Sequence, residues 1–279
     1  MTDTDMHTGV PFAILPEVRR VLAPNRSALT GPGTNSYLLG ECAILDPGPA
    51  DPEHIDALLD AMPSPRFVFV THTHKDHSPG ALHIAQRTGA RLIGRTLAPE
   101  VPQLEEQDKT FLADEMPLQD QCFEIEAGLT LRAIDTPGHV SNHVCYLHEE
   151  SGLLFSGDHL LDGVTPVIAA PDGDMTAYMD SLKRLQGYPL TAIAPGHGRV
   201  LPDPAGSIEA VIRHRGRRES KIVRVLAERS GTLEALVPHV YDDVSPSLHG
   251  LARLTLMAHL VKLEREQRAR CENQVWHGL

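Results

Sequence analysis

Four side chains able to hold a metal ion fall within six residues: His72, His74, Asp76 and His77, in the run Thr71-His72-Thr73-His74-Lys75-Asp76-His77. Side chains two apart on an extended segment point the same way, so His72 and His74 can share one ion. Asp76 and His77 follow where the chain bends, and can face a second. Neutral imidazole together with carboxylate suits zinc, with iron and manganese as alternatives. A chain with 16 His in 279 residues could carry a merely His-rich loop. The order of the surrounding elements argues for a metal site instead.

Those elements must deliver the side chains. Phe67-Val68-Phe69-Val70 is short, aromatic and β-branched, and Pro65 precedes it, which predicts a buried strand ending at the histidines. Gly80 and a helical run follow. The same arrangement recurs: an apolar strand pattern stands before Thr136-Pro137-Gly138-His139, before Asp158 and before Gly196-His197.

The H-x-H-x-D-H run resembles the signature of the metallo-β-lactamase superfamily. Asp135-Thr136-Pro137-Gly138-His139 resembles its third-histidine motif, Phe155-Ser156-Gly157-Asp158 its bridging-aspartate motif and Pro195-Gly196-His197-Gly198 its last-histidine motif. The four motifs occur in order across roughly residues 15 to 205. The resemblance implies an αββα sandwich. It assigns His72, His74 and His139 to one metal, and Asp76, His77 and His197 to the other, with Asp158 bridging. Asp46-Pro47-Gly48 resembles the early D-x-G element, where Asp46 would be either a hydrogen-bond partner of a ligating histidine or a plain turn residue.

A chain of 279 residues can bury a full core and leaves room for a second, smaller domain. The pattern divides it into 1–206 and 207–279. No run approaches the ~20 apolar residues of a membrane span. Met1 to Gly9 is acidic and polar, without a signal-peptide apolar stretch, and is expected to be disordered. Cys42, Cys122, Cys145 and Cys271 are scattered, which predicts reduced thiols in a cytoplasmic protein. The net charge of −12 is uneven. Residues 210–279 hold twelve Lys and Arg against eight Asp and Glu, so the rest holds thirteen against twenty-nine. An acidic body is a poor nucleic-acid binder, although its tail is mildly basic.

Strands are predicted at Val18–Leu22, Ser36–Gly40 with Cys42–Asp46, Arg91–Gly94, Phe123–Ile134 around Gly128, Val144–Leu147, Leu153–Ser156 and Thr191–Ala194. Helices are predicted at His54–Met62, Ala81–Thr88 and Met175–Gln186. Alternating strands and helices with motifs at strand ends give an α/β sandwich. His83, His143 and His159 are expected to pack or face solvent and not to bind metal. Residues 96–115 are polar and Pro-broken and are expected to cross the rim of the site. Tyr178 could reach a substrate oxygen, although a helical Tyr is more often core, and Asn35 is a second candidate substrate contact. From Ser207 a long helix, two shorter ones and a hairpin near Arg268–Trp276 predict a winged-helix-like module. Its first helix carries Arg213, His214, Arg215, Arg217, Arg218, Lys221 and Arg224. These could contact phosphate, line a solvated face docked on the acidic body, or meet a partner subunit in a homodimer.

Two adjacent cations can hold a hydroxide between them, lower its pKa and stabilise the oxyanion formed when it attacks a carbonyl or phosphoryl centre. Asp158 would fix both ions and Asp76 would orient the hydroxide, so no Ser or Cys nucleophile is needed. Classical zinc β-lactamases carry Cys where this chain has Asp158, and glyoxalase II enzymes follow the last histidine with E-Y-T, whereas here Gly198-Arg199-Val200 follows. Gly33-Thr34-Asn35-Ser36-Tyr37-Leu38, Tyr178-Met179-Asp180-Ser181-Leu182-Lys183 and His214-Arg215 are similar to the β-lactamase-like protein 2 group. That group includes a single-strand-selective endoribonuclease, and related fungal proteins are polyketide thioesterases. The sequence therefore points to hydrolysis of a small acyl substrate (thioester, ester or lactone). Cleavage of single-stranded RNA is the alternative, although aromatics are 4% and offer no stacking platform. A non-catalytic binder of nucleic acid or a protein partner is a third reading, disfavoured by the complete ligand set.

Overall fold

A computed structural model describes residues 6–98 and 106–279. The chain divides into two compact units. One runs up to Thr136 and adds Asn142–Val164 and Pro189–Pro204; the other comprises Pro137–Ser141, Thr165–Tyr188 and Ala205–Leu279. The sequence pattern places a single boundary at 206, whereas the contacts also give residues 137–141 and 165–188 to the second unit.

The first unit holds two sheets. One contains β1 (Phe12–Leu15), β2 (Val18–Leu22), β3 (Asn35–Leu39), β4 (Ala43–Leu45), β5 (Phe67–Phe69) and β6 (Arg91–Ile93), in that spatial order. The other contains β7 (Cys122–Glu126), β8 (Leu129–Asp135), β9 (Val144–His148), β10 (Leu153–Gly157) and β11 (Ala192–Pro195), ordered β11-β10-β9-β8-β7. β4–β5–β6 and β10–β11 are parallel, and the remaining pairs are antiparallel.

Period-two alternation decides which side chain goes where. Tyr37, Leu39, Ala43, Leu45 and Phe69 enter one core with Leu131, Ala133, Tyr146, Leu153 and Phe155 of the second sheet. Leu38, Ile44, Val68 and Val70 point the other way, onto Ile55, Leu58 and Leu59 of α1 (Pro52–Ala61) and Ala81 and Ile84 of α2 (Pro79–Thr88). Phe69 meets Tyr146 and Phe123 edge-on at 5.3 and 5.5 Å. Deleting such a ring costs about 3–5 kcal/mol. Asp51 caps α1 by accepting from His54 N, and Gly89 ends α2 in the left-handed conformation at φ 76°.

The second unit contains α3 (Met175–Leu185), α4 (Pro204–Glu228), β12 (Gly231–Thr232), α5 (Leu233–Val240), a 3₁₀ turn at Pro246–Leu248, α6 (His249–Arg265), β13 (Ala269–Glu272) and β14 (Val275–Gly278). Asp174 caps α3, accepting from Thr176 N and Ala177 N. β12, β14 and β13 form a small sheet beside a core of Ile222, Leu236, Leu256, Leu260 and Trp276. This is the winged-helix arrangement, with a third short strand, β12, that two residues are too few to announce.

The structure corrects the expectation at the N-terminus. Residues 1–5 lie outside the described residues, but Thr8 bridges Leu22 and Gly9 N donates to Leu22 O at 2.9 Å. Residues 8 and 9 are therefore ordered by backbone bonding. All four cysteines are free thiols.

Candidate metal centre

β5 ends at Phe69; the chain bends at Thr71 and pairs again at His74, in a bridge with Gln107. It then turns: His77 N and Ser78 N both donate to His74 O, at 3.0 and 3.1 Å. The turn brings Asp76 and His77 round. Asp158 follows β10, and His197 follows β11, the parallel neighbour of β10.

Within the first unit these side chains converge. His72 Nε2 lies 3.0 Å from His74 Nδ1. His72, His74 and Asp158 form one set of mutually close ligand atoms, and Asp76, His77 and His197 another, each within 4.8 Å. His77 Nε2 is 3.3 Å from Asp158 Oδ1 and 3.6 Å from Asp76 Oδ2. His197 Nε2 is 3.2 Å from Asp76 Oδ2 and 3.3 Å from Asp158 Oδ1.

The far sides of the His72, His77, His139 and His197 rings are anchored. His77 Nδ1 donates to Asp46 Oδ2 at 2.9 Å and His197 Nδ1 to Gly33 O at 3.1 Å. Thr71 Oγ1 donates to Asp46 Oδ2 at 2.8 Å and so accepts from His72 Nδ1 at 3.0 Å. Asp46 Oδ1 also accepts from Thr71 N at 2.7 Å, which leaves this carboxylate, 1% exposed, holding both ends of the loop. In the second unit His139 Nδ1 donates to Val167 O at 2.7 Å. One nitrogen fixed by an acceptor and the other left as a lone pair is the pattern of metal-binding histidines.

The electrostatics favour positive charge beside the carboxylates. Burial alone would push His77 down, but the carboxylates of Asp76, Asp158 and Asp46 override it and hold His77 well above its usual range. His197 is likewise lowered by burial yet raised to about 9, chiefly by Asp158. Burial raises Asp76, and His77 with His197 brings it down to about 2. His72, by contrast, is pushed well below its usual range by burial and then by His77 and His74. His77 Nε2 is buried and, among the described residues, makes no hydrogen bond, with Asp158 Oδ1 at 3.3 Å and Asp76 Oδ2 at 3.6 Å. An orphaned imidazole nitrogen facing two carboxylates fits a divalent metal.

Close approach is built into the loops. A Cβ on Gly196 would lie 2.6 Å from Asp158 Oδ1 and 2.6 Å from His77 Cε1. Gly157, at φ 47°, turns the chain into Asp158, and a Cβ there would meet Thr71 Oγ1 at 2.6 Å.

Asn35 and Tyr178, the two candidate substrate contacts, are both buried. Asn35 is fully buried, and its amide donates to Pro195 O and Gly198 O, both at 2.9 Å, so it ties down the loop that carries His197. Tyr178 is also fully buried, with Arg215 5.4 Å from its ring centroid. A Cβ on Gly138 would fall 2.3 Å from Tyr178 Cα, so the backbone of α3 presses on the segment bearing His139. His143 is buried and bonded to Thr136 Oγ1 at 2.8 Å, and His83 is exposed. Residues 99–105 of the expected rim segment lie outside the described residues. Thr34, whose hydroxyl donates to Asp76 Oδ2 at 3.3 Å, carries no sequence signal of its own, although the Gly33-Thr34-Asn35 run contains it.

The basic helix is neutralised in part. Arg218 is buried, bonds Asp243 through both arms at 2.7 and 2.9 Å, and stacks 4.1 Å from the Tyr241 centroid. Arg215 is buried and donates to Pro166 O, and Lys221 pairs with Asp242 and Asp243. Arg213, which pairs with Glu209, and Arg217 and Arg224 are exposed.

The first unit sets a His/Asp cluster that could hold metal at the strand ends of a two-sheet fold, and comparison with known proteins gives the family. The profile of the metallo-beta-lactamase superfamily matches residues 29–197, and that of the beta-lactamase associated winged helix domain matches residues 232–276. This chain belongs to the metallo-beta-lactamase superfamily. It is similar to the beta-lactamase-like protein 2 homolog of Drosophila melanogaster, 35% identical over 91% of this chain and 89% of that protein. It is 30% identical to the atrochrysone carboxyl ACP thioesterase of Aspergillus terreus, over 76% of this chain and 64% of the relative. A metallo-beta-lactamase family protein from Thermus thermophilus shares the fold, with a TM-score of 0.80 at 21% identity, covering 96% of this chain and all of that one. The protein is accordingly a hydrolase with a winged-helix domain. Among the described residues no helix is long and apolar enough to cross a membrane.

Proposed function

We propose that this hydrolase cleaves a small acyl substrate, a thioester, ester or lactone, at a centre of two metal ions, zinc by preference. His72, His74 and His139 would hold one ion and Asp76, His77 and His197 the other, with Asp158 shared. When bound, the ions supply acidification of a water molecule and neutralisation of the oxyanion formed at the carbonyl. The chain's own groups do the rest. Asp46, Gly33 O and Thr71 hold the rings in one tautomer. Asp76, with 26% of its side chain exposed, can accept a hydrogen bond from the attacking water. Water adds to the carbonyl, the C–S or C–O bond breaks, and a carboxylate and a thiol or alcohol leave.

The observation that carries the reading is the convergence of His77 and His197 on Asp76 and Asp158. The thioesterase name of the Aspergillus terreus relative supports an acyl substrate. RNA is less well supported, because Arg215, Arg218 and Lys221 are spent on carbonyls and carboxylates of their own unit.

The test is metal content and turnover of one purified sample on acyl thioesters, lactones and labelled single-stranded RNA, each with and without chelator. Chelator-sensitive acyl hydrolysis with intact RNA is expected. RNA cleavage that is lost in Asp158→Ala, without acyl turnover, would overturn the acyl reading.

A further inference from the structure

The metal loop reads Thr-His-Thr-His, and its two threonines hydrogen-bond to different parts of the first unit. Thr71 is accounted for by Asp46. Thr73, fully buried between His72 and His74, has its own partners. Asn142 Nδ2 donates to Thr73 Oγ1 at 2.8 Å, and Thr73 Oγ1 donates in turn to Gln107 Oε1 at 2.9 Å. Asn142 is itself fixed, donating to Arg95 O at 2.9 Å.

The chain at 106–110 is stitched to the back of the same loop. Lys75 N donates to Glu106 O at 2.8 Å and Asp108 N to Thr73 O at 2.7 Å. His74 and Gln107 are bridge partners. Ser78 Oγ donates to Asp108 Oδ2 at 2.7 Å, while Asp108 Oδ1 accepts from Thr110 N and Thr110 Oγ1. Gln107 and Asp108 are 1% and 6% exposed, so these bonds are shielded from bulk water. The donor–acceptor chain through Thr73 and the backbone bonds to Glu106 and Asp108 hold the stretch that carries His72 and His74.

We propose that Asn142, Thr73 and Gln107 form a hydrogen-bond relay that aims His72 and His74 at the metal, making Thr73 and Gln107 positioning residues of the centre and residues 106–108 part of its scaffold. The inference rests on the reading of His72 and His74 as ligands. Thr73→Val keeps the shape and removes the hydroxyl, which leaves a buried amide N–H and a buried carbonyl oxygen short of a partner. Partners one layer behind metal ligands typically set affinity by about 10- to 100-fold.

The experiment is zinc affinity by competition with a chromophoric chelator, alongside Tm of the metal-free protein. Thr73→Val and, in parallel, Gln107→Leu are expected to lose about 10- to 100-fold in zinc affinity, and Thr73→Ser to retain it. A lower metal-free Tm with unchanged zinc affinity in both losing variants would show ordinary packing and overturn the relay. A wild-type chain that takes up no zinc would overturn the metal reading itself, and the relay with it.

Discussion

Asp46 Oδ2 accepts from both Thr71 Oγ1 and His77 Nδ1, at 2.8 and 2.9 Å, so one buried carboxylate spans the first and last residues of the Thr71–His77 metal loop. Asp46 adopts φ 48°, a conformation that non-glycine residues rarely hold and that Asp and Asn tolerate best. The backbone accepts this strain where the side chain is most heavily bonded, with Oδ1 also taking Thr71 N at 2.7 Å.

Asp46→Asn preserves shape and backbone preference but turns one acceptor into a donor facing His77 N–H or the Thr71 hydroxyl. The variant should fold and should lose metal affinity by about 10- to 100-fold. Metal titration of the refolded, metal-free protein checks this. Wild-type affinity would mean that His77 is held by packing alone.

Gly196→Ala tests how tightly the two strand ends approach. A methyl group there would sit 2.6 Å from both Asp158 Oδ1 and His77 Cε1, so either the β11 loop or both ligands must move. The expected outcome is a folded protein by circular dichroism with less than one metal per chain and almost no turnover. Full metal content would show that the loop yields at no cost to the site.

The metal-free protein should respond to pH in a definite direction. His197 is held at about 9, above its ordinary 6.5, so its protonation stabilises the fold fully below about 6.5 and that stability is lost as pH rises through about 9. Asp76, held at about 2, acts oppositely: its contribution is present above its ordinary 3.8 and disappears as pH falls through about 2. Metal-free Tm should therefore decline from pH 6.5 to 9. Metal binding must expel the His197 proton, so affinity should rise over the same interval with proton release. Calorimetry in buffers of different ionisation enthalpy measures that release. A pH-independent metal affinity would remove His197 from the ligand set.

The period-two run Phe67-Val68-Phe69-Val70 is enough to give a strand and its two faces, and the structure sends Phe69 and Val68 to opposite cores as alternation requires. The histidine and aspartate motifs are legible as candidate ligands because ligand chemistry is written in residue type and spacing, and the structure brings their ligand atoms close together. The burial of Asn35 and Tyr178 is not legible. Their types allow a substrate contact, but the partners that bury them, Pro195 O for one and Arg215 for the other, lie far along the chain. Gln107 escapes for the same reason, since its link to Thr73 crosses 34 positions. β1 escapes because its four residues, Phe12-Ala13-Ile14-Leu15, are all apolar and show no alternation, although two of them are exposed.

The basic helix α4 gives a last contrast, between two arginines one position apart. Arg218 is 7% exposed, donates to Val240 O, forks onto Asp243 and stacks on Tyr241. Arg217 is exposed. Arg218→Met removes the fork and the stack. Because Asp243 is itself 57% exposed and can be rehydrated, the cost should be about 1–3 kcal/mol, below that of a fully buried pair. Arg217→Glu with Arg224→Glu should leave stability within about 0.5 kcal/mol, as surface substitutions do. The double variant should also leave acyl turnover unchanged, because neither side chain is needed for a small substrate. Urea denaturation and steady-state kinetics on the same preparations read both outcomes. If the charge-reversed pair instead lost a metal-dependent RNA cleavage present in the wild type, the exposed arginines would be the handle for a polyanion, and the acyl reading would give way.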